Sequence, residues 1–338
     1  MRIALTLAVV ALVHGQDIAA KADAAAKQND FMGSVLVAKG GKVLLKKGYG
    51  MANIELDVPN APDTKFRLGS ITKQFTATAI LQLAAQGKLD VQDKVSKYID
   101  NSPAAWKDIT IHHLLTHTSG IPNFTSFDDY AKRQRETVTP LQLVDRFKDR
   151  PLDFAPGSKY SYSNSGYEVL GVIIEKVSGE KYEDYVKRHI FDPLDMNDTG
   201  YDHDTQIIKH RAAGYQKTKD GKLQNADYID MSIPYSAGTL YSTVEDLYRW
   251  DRALYGEKIL NAEWKKKMFT PFLNNYAYGW NVRGEGADLT ISHSGGVNGF
   301  STQINRYPGQ DACVIVLTNG PGIRPMVNAL NEALLGKK

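Results

Sequence analysis

Apolar positions keep a period of two at both ends of this chain and a helical period in between. Residues 33–38 and 42–49 are rich in Val and Leu and flank Gly40-Gly41, which predicts two strands joined by a tight hairpin. Strand patterns return only near the far end, over 278–283, 289–293, 299–306 and 312–318, with Pro308-Gly309 turning the last pair. An amphipathic stretch around 325–335 then predicts a helix that covers one sheet face. The middle carries helix punctuation. Residues 70–87 predict a helix that buries Phe75, Ala79 and Leu83 and stops at Gly87. Tyr167, Leu170, Ile174 and Val177 mark another, stopped at Ser178-Gly179. Thr139-Pro140-Leu141-Gln142 and Ser242-Thr243-Val244-Glu245 both read as helix starts.

This order predicts an α+β (α/β sandwich) fold. One antiparallel sheet is built from both chain ends, about residues 30–75 and 275–335, and is flanked by helices. A mostly helical region of about residues 76–270 is inserted between them. No repeat, low-complexity tract or long linker marks a second domain, so residues 16–338 read as one. Residues 1–15 read as a signal peptide: Arg2 supplies the charge, residues 3–13 the apolar stretch, and Val13-His14-Gly15 the cleavage site. The expected location is therefore periplasmic or secreted. That stretch is too short to span a bilayer, and no Cys follows it to carry a lipid, so no stable membrane anchor is expected.

The chain has 338 residues, 42% of them hydrophobic, and a net charge of +3. It can bury a large core, and it is not basic enough to suggest a nucleic-acid partner. Cys313, in an apolar strand pattern, is the only cysteine, so no intramolecular disulfide can form.

Ser70 and Lys73 carry the sharpest chemistry. A Ser opening a helix is ordinarily an N-cap, but a capping box wants Glu or Gln three residues later. Lys73 stands there instead, against the helix dipole, at a cost of about 0.3–1 kcal/mol if charged. Positions i and i+3 share a face, so the amine can reach the hydroxyl. Desolvation beside the positive dipole end lowers the lysine pKa, and a neutral amine can activate a serine nucleophile. Ser178 and Lys181 repeat the spacing, but Gly179 breaks the helix between them, so Ser178 reads as structural.

Tyr162-Ser163-Asn164 is the only Y-x-N in the chain, and His293-Ser294-Gly295 the only H-x-G. A tyrosine beside a lysine is expected to have a lowered pKa and to move protons, and Asn164 can orient both the lysine and a substrate amide. Equally, Asn164 or Ser165 fits a helix cap, with Tyr162 a packed aromatic. The His293 segment fits a strand edge that lends a backbone N–H to an oxyanion hole, or simply a strand followed by a glycine-rich turn.

Together, S-x-x-K, Y-x-N and H-x-G in this order resemble the serine β-lactamase and penicillin-binding-protein family. The nearer branch is that of class C β-lactamases, D-Ala-D-Ala carboxypeptidases, D-amino-acid amidases and β-lactamase-like esterases. Residues 114–121, 162–167 and 237–242 extend the resemblance, which covers about residues 33–318. It implies a hydrolase acting through a Ser70 acyl-enzyme, with Lys73 and Tyr162 sharing the proton. Asn164, His293, Ser294, Gly295 and Gly296 would bind substrate, and the backbone N–H groups of Ser70 and Gly296 would hold the oxyanion. No metal or cofactor is implied, and the partner is a small-molecule or peptide substrate. The expected substrate carries an amide bond, as in D-Ala-D-Ala or a β-lactam. A carboxylesterase is the alternative, and a catalytically silent penicillin-binding or scaffold homologue the second.

Two departures from the family pattern matter. His293 stands where many relatives carry the Lys of K-T-G, and near its ordinary pKa of about 6.5 it would clamp a carboxylate only when protonated. Glu168, a turn into the helix after Asn164, reads as a solvated residue rather than as a deacylating base. His113 and His117 have a zinc-compatible i, i+4 spacing but no Glu in H-E-x-x-H register, and the G-x-S-x-G elbow is missing.

Overall fold

The computed structural model describes residues 17–336, so the signal-peptide expectation for residues 1–15 lies outside the described residues. A helix over residues 17–28 (α1) leads into the first hairpin, Gly33–Lys39 (β1) and Lys42–Tyr49 (β2). Gly40 and Gly41 have φ of 60° and 70°, the left-handed pair that a two-residue turn demands. The last four strands of the sheet are Asn281–Arg283 (β3), Thr290–Val297 (β4), Phe300–Tyr307 (β5) and Ala312–Thr318 (β6). All pair antiparallel in the order β3-β4-β5-β6-β1-β2, so the two chain ends meet where β6 pairs with β1.

That central pair is apolar on both faces, because both are covered. Leu36 and Ala38 of β1, with Cys313, Ile315 and Leu317 of β6, face the helical region. Val35 and Val37, with Ala312, Val314 and Val316, face the other way, onto Ile18 and Ala22 of α1 and Met326 and Leu330 of the last helix, Ile323–Leu335 (α4). The edge strand β2 turns exposed lysines 42, 46 and 47 outward, which discourages pairing with another sheet.

In the inserted region, Thr72–Ala85 (α2) is buried nearly all round: apolar and small side chains cover most of its surface, and Lys73 and Gln74 are buried with them. Asn164–Ser178 (α3) packs against it and ends at Gly179, with φ of 74°. Ser178 donates its hydroxyl to Ile174 O at 2.6 Å, a helix-end role.

Several boundaries differ from those expected. The helix after Ser70 begins at Thr72, and Ser70 itself lies in a single 3-10 turn, Gly69–Ile71. Residues 278–280 are not strand, because Gly279 turns the backbone at φ 76° against α2. β4 continues through Ser294-Gly295-Gly296, which therefore form strand rather than a turn. Ser242 ends a strand, and Thr243 is the cap, accepting the Asp246 N–H. Thr139 with Gln142 does form a reciprocal capping box. The inserted region also holds short strands, among them the hairpin Tyr215–Lys217 with Leu223–Asn225.

Candidate active site

Ser70 is pinned between β4 and α2 by contacts that only glycine allows. A Cβ on Gly69 would lie 2.6 Å from Gly296 N, and one on Gly295 would lie 1.9 Å from Leu68 O. Thr302 Oγ1 donates to that same Leu68 oxygen at 2.7 Å, which ties β5 to the turn. Strand β4 and the nucleophile turn are thus backbone to backbone, and Gly296 and Ser70 line one cavity of about 180 Å³. Both residues carry a backbone N–H, the kind of donor an oxyanion hole requires.

Lys73 is fully buried, and its amine reaches three acceptors: Asn164 Oδ1 at 2.8 Å, Ala237 O at 2.9 Å and Ser70 Oγ at 3.2 Å. Burial pulls its pKa down to about 7, against an opposing pull from the Glu168 carboxyl. A neutral amine has two hydrogens and one lone pair. With Asn164 and Ala237 taking the hydrogens, the lone pair is left for the Ser70 proton. Asn164 is held for this task. Its N–H donates to Asn123 Oδ1 at 3.0 Å, and its Nδ2 donates to Thr125 Oγ1 at 3.2 Å, which turns Oδ1 toward the lysine. Neither Asn164 nor Ser165 is the helix cap; Ser163 holds that position, and Ser165 donates to Pro122 O.

Tyr162 departs from the expected role. Lys73 sits over its ring, 4.9 Å from the centroid, and forms no hydrogen bond with its hydroxyl. Burial pushes the Tyr162 pKa up, and the neighbouring Ser70 hydroxyl offsets this only in part. The phenol therefore stays protonated at neutral pH and is a donor beside the nucleophile, rather than a phenolate base. Its ring packs on the buried His117 ring, at 4.2 Å between centroids, and His117 Nδ1 accepts the Ser163 N–H at 3.1 Å. His113 spends its Nδ1 on the Thr110 N–H, and no cluster of metal-binding side chains exists among the described residues.

His293 corrects a second expectation. It is buried, donates Nδ1–H to Ser294 O at 2.6 Å, and accepts the Tyr276 hydroxyl at Nε2 at 2.9 Å. Burial first, then the Lys73 charge, lowers its pKa to about 4, so it is neutral and has no hydrogen to offer a carboxylate. Ser294 does not join the Ser70 cavity either. It is exposed and, with Gly295, lines a groove against α4. Glu168 is a third correction: it is fully buried, and it lines the Ser70 cavity one helical turn below Asn164. No sequence pattern marks Asn123, Thr125 or Tyr276 as a site residue, and Ala237 stands out only as part of residues 237–242, which extend the family resemblance.

The fold and the arrangement of these residues are those of the beta-lactamase family, and the chain belongs to it: the family's model matches residues 19–336. It is 33% identical over 313 residues to penicillin-binding protein 4* of Bacillus subtilis (strain 168), covering 87% of this chain and 69% of that protein. Among solved structures, it is similar to a penicillin binding protein from Bacillus halodurans, with 28% identity, a TM-score of 0.83, and 92% and 99% of the two chains covered. A D-stereospecific amidohydrolase from Streptomyces sp. matches at 25% identity and a TM-score of 0.80, covering 95% of this chain and 99% of the other.

Proposed function

We propose that this protein hydrolyses amide or ester bonds through a covalent Ser70 acyl-enzyme, with a leaving group that carries no carboxylate. The observation that carries the reading is the Lys73 amine, whose two fixed acceptors leave its lone pair for Ser70. Ser70 Oγ bonds to the substrate carbonyl carbon as Lys73 takes the hydroxyl proton. The carbonyl oxygen becomes an oxyanion between the Ser70 and Gly296 backbones, where each donor contributes about 2.7–4 kcal/mol by the general precedent. The tetrahedral species collapses, the bond to the leaving nitrogen or oxygen breaks, and the proton goes from Lys73 to that atom. Water then repeats the sequence on the acyl-enzyme and restores Ser70. Tyr162, still protonated, supplies a hydrogen bond beside the nucleophile. The reading includes export, supported by the pattern of residues 1–15.

The choice among leaving groups rests on charge. Among the described residues, no Lys or Arg other than Lys73 behind Ser70 stands at the cavity, and His293 is neutral. A D-Ala-D-Ala peptide or a β-lactam presents a carboxylate that nothing here is placed to neutralise, so an uncharged amide or ester fits better. The test is twofold. A fluorophosphonate should label Ser70 and not Ser178, and Ser70→Ala should lower turnover about 10⁴–10⁶-fold. A panel of a D-amino acid amide, a short-chain nitrophenyl ester, a D-Ala-D-Ala peptide and a chromogenic cephalosporin should rank the first two above the last two. An unlabelled Ser70 would instead mean a catalytically silent homologue.

A further inference from the structure

Glu168 is a carboxyl group with no evident employment in the chemistry above. It projects from α3 four residues after Asn164, on the same helix face, and lines the same cavity as Ser70. It is fully buried, and although the Ser236 and Ala237 groups lie beside its carboxyl, neither oxygen has a close, well-aligned hydrogen bond. A buried carboxyl left unpaired is costly, and a fold retains one at a price that calls for an explanation. Lys73 does not supply it. The three donors of its ammonium are already directed at Asn164, Ala237 and Ser70, and it forms no ion pair with Glu168. The rest of the cavity wall includes Thr125 and Asn298, with Phe124, Tyr130, Ile229 and Pro234 supplying much of its apolar surface.

We propose that Glu168 forms the floor of a subsite for a primary ammonium group on the acyl residue of the substrate. This deepens the reading of Ser70 as the nucleophile and rests on it. An ammonium would pair with both orphaned oxygens while its carbon skeleton meets the apolar wall, a combination of charge-assisted hydrogen bonds and apolar burial. Such a substrate is an amino acid amide or ester with its amine free, and acylating that amine removes the recognised group.

Proton balance gives the proposal a signature. Burial holds the Glu168 pKa well above the ordinary carboxylate range, offset in part by Lys73 and by the Ser236 and Ala237 groups beside it. The other titratable groups facing it are Tyr130, Tyr182 and Tyr201, all kept protonated by burial. In the free protein burial therefore favours the neutral carboxyl. When an ammonium ligand docks, the O–H bond of Glu168 breaks, the carboxylate pairs with the ammonium, and one proton leaves for solvent.

The experiment compares D-phenylalaninamide with its desamino analogue, 3-phenylpropanamide, in the Ser70→Ala protein, where neither is turned over. Calorimetric titration at about pH 6, in two buffers of different ionisation enthalpy, reads affinity and proton release together. The amine should bind roughly 10- to 100-fold tighter, the range of a hydrogen-bonded charge, with release of about one proton. In Ser70→Ala with Glu168→Gln, both the preference and the proton release should vanish. Equal affinities would overturn the proposal, as would a preference or a proton release that survives Glu168→Gln. If that second variant does not fold, the comparison of the two ligands with Glu168 in place still decides, since equal affinities defeat the subsite. Fluorophosphonate labelling of Ser70 in the wild-type protein separates the two readings. A labelled serine without amine preference defeats only the subsite, and an amine preference without labelling defeats only the hydrolase.

Discussion

Asn164 Oδ1 lies 2.8 Å from Lys73 Nζ, closer than the 3.2 Å that separates the same nitrogen from Ser70 Oγ. The amide, fixed from behind by Asn123 and Thr125, sets where the amine's hydrogens point and hence where its lone pair is aimed. Asn164→Leu removes the acceptor with little change in volume and should slow phosphonylation of Ser70 by about 10²-fold, the lower range for a mispositioned general base. Stopped-flow labelling measures this directly, and an unchanged rate would reduce Asn164 to a packing residue.

The pH profile follows from Lys73. Its pKa of about 7 means that kcat/KM for a neutral ester should fall about tenfold per unit below that pH, as the lone pair is lost to a proton. Asn164→Asp places a negative charge against the amine and favours its charged form, so the acid limb should move to higher pH. A limb that stays put or moves to lower pH would mean that another group sets it.

His293 gives the opposite expectation for binding. Its pKa of about 4 leaves it neutral through the physiological range. KM values for a matched carboxylate substrate and its methyl ester should therefore share one pH profile between about pH 5.5 and 8, a range the ordinary histidine pKa would bisect. A carboxylate KM that alone rises through pH 6.5 would restore His293 as an anion clamp.

Buried neutral histidines also predict acid lability. His112 and His293 both fall to about 4, and His117 lies well below its ordinary value, each chiefly through burial. The unfolded imidazole takes a proton near pH 6.5 and the folded one does not. Stability is thus complete above that pH and falls as pH drops toward 4, by about 1.4 kcal/mol per pH unit for each such histidine. Urea unfolding at several pH values tests the slope, and His112→Gln should make it shallower.

Gly279 tests the close approach of the 278–280 bend to the nucleophile helix. Its φ is 76°, and a Cβ there would lie 2.8 Å from Lys73 O. Gly221 has a similar φ of 83° but open space around its Cβ. Gly221→Ala should cost about 1–2 kcal/mol from backbone strain alone. Gly279→Ala should add about 1–3 kcal/mol of overpacking and lower the rate of Ser70 labelling as well. Equal melting temperatures for the two variants would remove the crowding argument.

The local pattern was enough for whatever depends on neighbours in sequence. Gly40-Gly41 between two apolar runs fixed the hairpin, because only a left-handed pair closes a two-residue turn. The bounds of β2 and β6 followed from their composition, and the Ser70–Lys73 contact from a one-turn spacing. The short strands of the inserted region, and α1, whose apolar face is only Ile18, Ala22 and Ala25, were too brief to stand out from their surroundings. What needed tertiary structure was the charge state of each group. Tyr276 lies 17 residues from His293, and Tyr162, 131 residues away by number, packs against the same cluster; burial among such rings, not proximity in sequence, keeps His293 neutral and Tyr162 protonated. Glu168 reads as a solvated helix residue because nothing near it in sequence shows that the fold buries it beside Ser236 and Ala237. Residue type and spacing determine which groups can meet, whereas a proton's position depends on how much water the fold removes from around it, a property of the whole packed chain.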